Sequence, residues 1–134
     1  MSYARQLLDT YPRTYRVDED VLAAVIDALT DCAQACTADV SADLSEPGLA
    51  EMVLCIRLCL DCADICAACA AVISRQAPYD PGVVRPLLEA CAASCRSCGD
   101  ECEQHAAHHV HCRVCAEACR RCERACWDLL GALA

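Results

Sequence analysis

Lysine and phenylalanine are missing from this sequence of 134 residues, and glycine occurs only four times. Without lysine, eleven arginines face twenty acidic residues, giving a formal net charge of −9. That balance repels phosphate backbones and gathers cations, so nucleic acid is excluded as an expected partner. Period-2 alternation is also missing and β-branched residues are few, which excludes a sheet. The opening stretch, MSYARQLLDTYPRTYRVDED, has no apolar run and no twin-arginine pair. Neither export nor a membrane anchor is expected, and the cytoplasm is the predicted compartment.

Cysteine is what the sequence has in excess, at 16 positions. A small secreted disulfide knot would be glycine-rich and poor in helix formers, whereas 25 alanines, 14 leucines and 10 valines supply a real core here. Disulfides rarely persist in a reducing cytosol, so sixteen thiols call for metal, redox chemistry or packing.

Turn signals divide the chain into helices and predict a single domain over residues 1–134. Ser2 caps a short helix over 3–10, and Asp18-Glu19-Asp20 opens a long one over about 18–43. Ser45-Glu46-Pro47-Gly48 forms the first loop, with Ser45 read as the cap of a helix over 46–75 that stops at Ala77-Pro78-Tyr79-Asp80-Pro81. Asp80 and Pro81 then start a helix over 81–102, with Pro86 marking either a kink or a later start, and a last helix covers 105–130. The predicted fold is all-α: an antiparallel up-down-up-down four-helix bundle with a short additional N-terminal helix.

The cysteines fall at steps of three or four on each long helix. They are Cys32 and Cys36; Cys55, Cys59, Cys62, Cys66 and Cys69; Cys91, Cys95, Cys98 and Cys102; and Cys112, Cys115, Cys119, Cys122 and Cys126. At about 100° per residue each set stays within an arc of about 80°, the stripe a bundle helix turns inward. The five-cysteine stripes are each about 21 Å long, which makes a tube of thiols rather than one site. Leucine would pack such a core with better-defined rotamers and no oxidation hazard, so something requires the sulfur.

Zinc wants closed sets of four, commonly on C-x2-C knuckles, and each all-thiolate zinc site keeps two negative charges. The Cys112-x2-Cys115-x3-Cys119-x2-Cys122 run only faintly matches an iron–sulfur pattern, because no cysteine is followed by proline. Cu(I) suits the stripe best: it is soft, accepts two or three thiolates and tolerates bridging. One Cu(I) per thiolate is neutral, so loading on the order of one copper per cysteine avoids unpaired buried charge. An inward stripe offers no exposed low-pKa thiol beside a base, so no catalysis is expected. A zinc or iron–sulfur protein and a thiol redox protein are the alternatives.

The two bundle ends differ. Leu22, Val25, Leu29, Val72, Ile73, Val84, Leu87, Leu88, Leu129, Leu130 and Leu133 plug one end with hydrocarbon. Met52 and the four histidines, His105, His108, His109 and His111, gather at the other, where phase alone does not select among the histidines. A cysteine-lined bundle with C-x3-C motifs, no leader and histidines near one end resembles the cytosolic subgroup of the bacterial copper storage proteins. That resemblance implies storage of multiple Cu(I) ions per chain, a homotetramer, and His105, His109 and His111 as mouth ligands with His108 left exposed.

Overall fold

A computed structural model describes residues 2–76 and 78–133; Ala77, part of the predicted second break, and the two terminal residues of the predicted domain lie outside that description. Five α-helices follow in order: α1 over Tyr3–Asp9, α2 over Glu19–Leu44, α3 over Val53–Ser74, α4 over Pro81–His105 and α5 over Val110–Ala132. Among the described residues there is no strand. The four long helices form an antiparallel ring in which α2 packs on α3, α3 on α4, α4 on α5 and α5 back on α2.

The predicted caps at Ser2 and Asp80 are present, and the acidic run supplies a third at Asp18. The Ser2 hydroxyl accepts from the Arg5 amide at 3.1 Å, Asp18 accepts from Asp20 at 2.7 Å, and Asp80 accepts from Gly82 at 2.9 Å. Each satisfies one of the amide donors a helix start leaves unpaired. Pro86 lies inside α4 without delaying its start, since Pro81 already occupies the first turn.

Two boundaries differ from the sequence reading. Ser45 does not cap the second long helix; it ends α2, its hydroxyl donating to the Ser41 carbonyl at 3.0 Å. The chain then turns through Pro47 and Gly48, makes one 3-10 turn over Leu49–Met52, and enters α3 at Val53 rather than at residue 46. At the other boundary α4 continues to His105 and α5 begins at Val110, so His105 closes one helix instead of opening the next. The His105 carbonyl accepts from the amides of both His108 and His109, making a turn that needs neither proline nor glycine.

Gly99 marks a close approach between α4 and α5. The Arg120 guanidinium lies over it while bonding Asp100 at 2.6 Å and Glu103 at 2.9 Å, and a Cβ there would meet Arg120 Cζ at 3.1 Å. At the closed end Val25, Leu29, Leu88 and Leu129 are buried, with Leu8 of α1 added beside them. Burial of each such side chain contributes roughly 1.5–3 kcal/mol. Val72, Leu87 and Leu133, read from the sequence as part of the same plug, are only half-buried. By length and hydropathy alone α2 would pass as a membrane span, yet it carries Leu22, Leu29, Cys32 and Cys36 into the bundle core.

Candidate metal centre

All sixteen cysteines are free and buried, spread two, five, four and five over α2 to α5 as the phase predicts. Their sulfurs form a continuous column. At mid-height one cysteine from each helix closes a ring: Cys59 to Cys98 at 3.5 Å, Cys98 to Cys36 at 3.9 Å, Cys36 to Cys115 at 3.7 Å, and Cys115 to Cys59 at 3.9 Å. Toward the closed end Cys32 meets Cys62 at 3.9 Å and Cys119 at 3.8 Å. Further along, Cys66 meets Cys91 and Cys95 at 3.7 Å and Cys122 at 3.9 Å. Successive quartets share members, as Cys36, Cys98, Cys115 and Cys119 do with Cys32, Cys36, Cys62 and Cys119.

The open end holds two side chains that the sequence reading passed over. Asp39 and Asp43 are the buried charged residues among the described chain, at 2 % and 0 % exposure. Their positions continue the cysteine stripe of α2 as 32, 36, 39 and 43, so the signal that finds them is the same three-and-four spacing. Thiols compensate part of the burial: Cys55, Cys59 and Cys102 donate to Asp39 Oδ2 at 3.8, 3.6 and 3.7 Å, and Cys112 to Asp43 Oδ1 at 3.5 Å, while Asp43 Oδ2 has no hydrogen-bond partner among the described residues. Burial still pushes the Asp39 carboxyl up, with the bond from His111 pulling against it. Burial and contact with Cys55 push Asp43 up to about 7.

Three of the four histidines lie half-buried at the open end and one is exposed. His111 Nδ1 donates to Asp39 Oδ1 at 2.6 Å and lies 3.6 Å from Cys112 Sγ, while Nε2 donates to Glu46 at 3.0 Å. A carboxylate on each nitrogen favours the imidazolium form of the ring. Burial pulls its pKa down, but the bonds to Asp39 and Glu46 outweigh that and raise it. The His109 ring lies between its neighbours in tilted contacts, 5.4 Å from His111 and 6.4 Å from His105 between centroids, and His105 donates to Glu101 at 2.8 Å. These three are half-buried; the His108 side chain is exposed and has no partner among the described residues. Met52 sits fully buried where the 3-10 turn meets α3.

Sulfur spacing does not choose the metal. Packed thiols adopt it, and a zinc tetrahedron with bonds of about 2.3 Å has an edge of about 3.8 Å. Charge does choose. Four zinc ions tiling sixteen thiolates would leave about eight negative charges in the core, and no basic side chain is buried there among the described residues. A monovalent soft ion on each thiolate leaves none.

A family model described as copper storage protein matches residues 18–131. The chain belongs to the copper storage protein family. Among solved family structures, the copper storage protein Ccsp from Streptomyces lividans, loaded with 10 copper equivalents, is 53 % identical, with a TM-score of 0.93 over 96 % of this chain and 98 % of that one. A second structure, of a cytosolic copper storage protein from Streptomyces lividans with five coppers, is 55 % identical, with a TM-score of 0.82 over 84 % and 93 % of the two chains. The Cu(I)-bound copper storage protein BsCsp3 is 34 % identical, with a TM-score of 0.73 over 82 % and 98 %. The four-helix architecture of the family is thus the architecture of this chain.

Proposed function

We propose that this chain is a single-domain cytosolic store and buffer for Cu(I), with the sixteen cysteines as ligands and no catalytic role. The observation that carries the reading is the unbroken column of sixteen buried thiols with no buried cationic side chain beside it among the described residues. Relatives described as copper-loaded, Cu(I)-bound and cytosolic support the cargo, its oxidation state and the compartment. Met52, His105, His109 and His111 form the mouth, where Asp39, Asp43, Glu46 and Glu101 concentrate cations. His111 joins as a ligand only after giving up a proton, which couples uptake there to pH. Exposed Val53, Leu54 and Leu60 on α3, with Val110 and Val114 on α5, supply apolar surface for the homotetramer that the family resemblance implies.

Metal preference tests the reading. The reduced protein, preloaded with zinc and then given Cu(I) under anaerobic conditions, is expected to release all its zinc, because only Cu(I) neutralises the column. Zinc retained against excess Cu(I) would favour the closed tetrahedral alternative. The mouth has its own test: replacing His105 and His109 by alanine is expected to slow copper uptake by about threefold or more, while final capacity falls by no more than about two ions. Stopped-flow loading that matches the parent rate would remove the two histidines from the uptake path.

A further inference from the structure

Copper storage uses the open end and the column, but the closed end carries a hollow of its own. Residues 11–17 cross the bundle end and, with α2, α3, α5, the segment before α4 and the start of α4, line a half-open cavity of about 310 Å³. Its floor is apolar, from Leu22, Val72 and Leu129, and Arg13, Arg16 and Arg75 also line it. None of the chain's twenty acidic residues does.

Those three arginines, like Arg85, Arg96 and Arg124, have no ion pair among the described residues, unlike the ones that staple the bundle. Arg5, Arg57, Arg113, Arg120 and Arg121 each pair with a carboxylate within 3.1 Å. Arg13 and Arg75 have no ion pair or side-chain hydrogen bond among the described residues, and Arg16 lies 4.7 Å above the Tyr79 ring instead. Tyr79 lines the same cavity, and its hydroxyl is buried without a hydrogen-bond partner. By contrast, the Tyr15 hydroxyl donates to the Leu8 carbonyl. A buried hydroxyl left unpaired destabilises the free protein, and three exposed guanidiniums with no carboxylate partner converge on one hollow of a chain of charge −9.

We propose that this cavity is a binding site for a small amphipathic organic anion. The guanidiniums take its carboxylate-like or phosphate-like head through forked, charge-assisted hydrogen bonds, and the apolar floor takes its body. The Tyr79 hydroxyl supplies a further donor to the head. The volume lies at the small end of ligand pockets, which sets the size of the guest. Copper has no place there, since three cations repel it and no thiol lines the hollow.

The test uses the full-length, reduced, copper-free protein and anilinonaphthalene sulfonate, an anion with an aromatic body. One saturable fluorescent site per chain is expected. Replacing Arg13 and Arg75 by glutamine is expected to weaken it about tenfold or more, whereas the charge-matched change of Arg96 and Arg124, which lie outside the cavity, leaves it within about twofold. Tyr79→Phe is expected to weaken binding about tenfold or more, the factor for one lost hydrogen bond to a charged group, without lowering the thermal midpoint of the free protein. Unchanged Cu(I) capacity in every variant certifies the fold. No saturable site, or equal affinity in the Arg13/Arg75 variant and its parent, overturns the proposal.

Discussion

Replacing Cys36, Cys59, Cys98 and Cys115 together by alanine is expected to lower copper capacity by about four ions, from about sixteen to about twelve, with the bundle still folded. The four sulfurs form the mid-height ring, one from each long helix, at separations of 3.5 to 3.9 Å. Their removal cuts the column, so copper admitted at the histidine end loses its thiolate-to-thiolate route to Cys66, Cys69, Cys91 and Cys126. Loading is therefore expected to become two-phased, with the closed-end half filling slowly. Each vacated sulfur costs about 1 kcal/mol in the copper-free protein, roughly 4 kcal/mol in all. Valine at the same four positions refills the volume without restoring ligands, so it separates the two effects. Capacity that stays near sixteen, or that collapses in a folded variant, contradicts a column of equivalent thiolates.

The second large effect concerns pH. Asp43 is fully buried, and its carboxyl titrates near 7 in the fold against about 3.8 as a free side chain. As pH rises through that window the unfolded chain gives up the proton first, so the native state holds more protons and stability falls with rising pH. A difference of about three pKa units sets an upper bound of about 4 kcal/mol, present below pH 4 and lost by about pH 8. His111, held above its ordinary value by Asp39 and Glu46, acts in the same direction: its contribution is present at low pH and lost as pH rises through the raised value. Glu46, held low by His111, and Glu103, held low by Arg120, act the other way from the solvent-screened surface. Denaturant unfolding of the reduced copper-free protein is thus expected to show greater stability at pH 5 than at pH 8. Asp43→Asn is expected to flatten much of that slope. A parent protein that gains stability between pH 5 and pH 8 would contradict the burial of a reluctant carboxylate at the mouth.

The sequence made the column legible because helical phase is local: steps of three and four fix which way a thiol points wherever the helix holds. Capping was legible where one side chain decides it, at Ser2 and Asp80. Ser45 misled because serine suits either end of a helix, and only the path through Pro47 and Gly48 decides which. The α4 to α5 boundary was hidden because the turn is made by a backbone carbonyl, that of His105, with no special residue type. Asp39 and Asp43 were in phase but carry charge, and a carboxylate is ordinarily read as solvated. What makes their burial tolerable, thiol donors from α3, α4 and α5 and the His111 ring, comes from partners distant in sequence. The cavity beneath Arg13 and Arg75 was hidden for the same reason, since its walls come from segments that only the fold brings together.

Anaerobic titration of the reduced protein with Cu(I), followed together with proton release, tests the storage reading most directly. Burial disfavours the thiolate at every cysteine of the column. The carboxylates of Asp39 and Asp43 add to it at Cys112 and contact with Cys91 at Cys69, while contacts with neighbouring thiols pull Cys32, Cys55, Cys62, Cys91, Cys98 and Cys115 the other way. Binding must therefore expel protons as thiols become thiolates. The expected result is about sixteen coppers per chain with about one proton released per copper. Saturation at one or two coppers, or uptake without proton release, would contradict a core of neutral thiols that becomes a neutral copper–thiolate column.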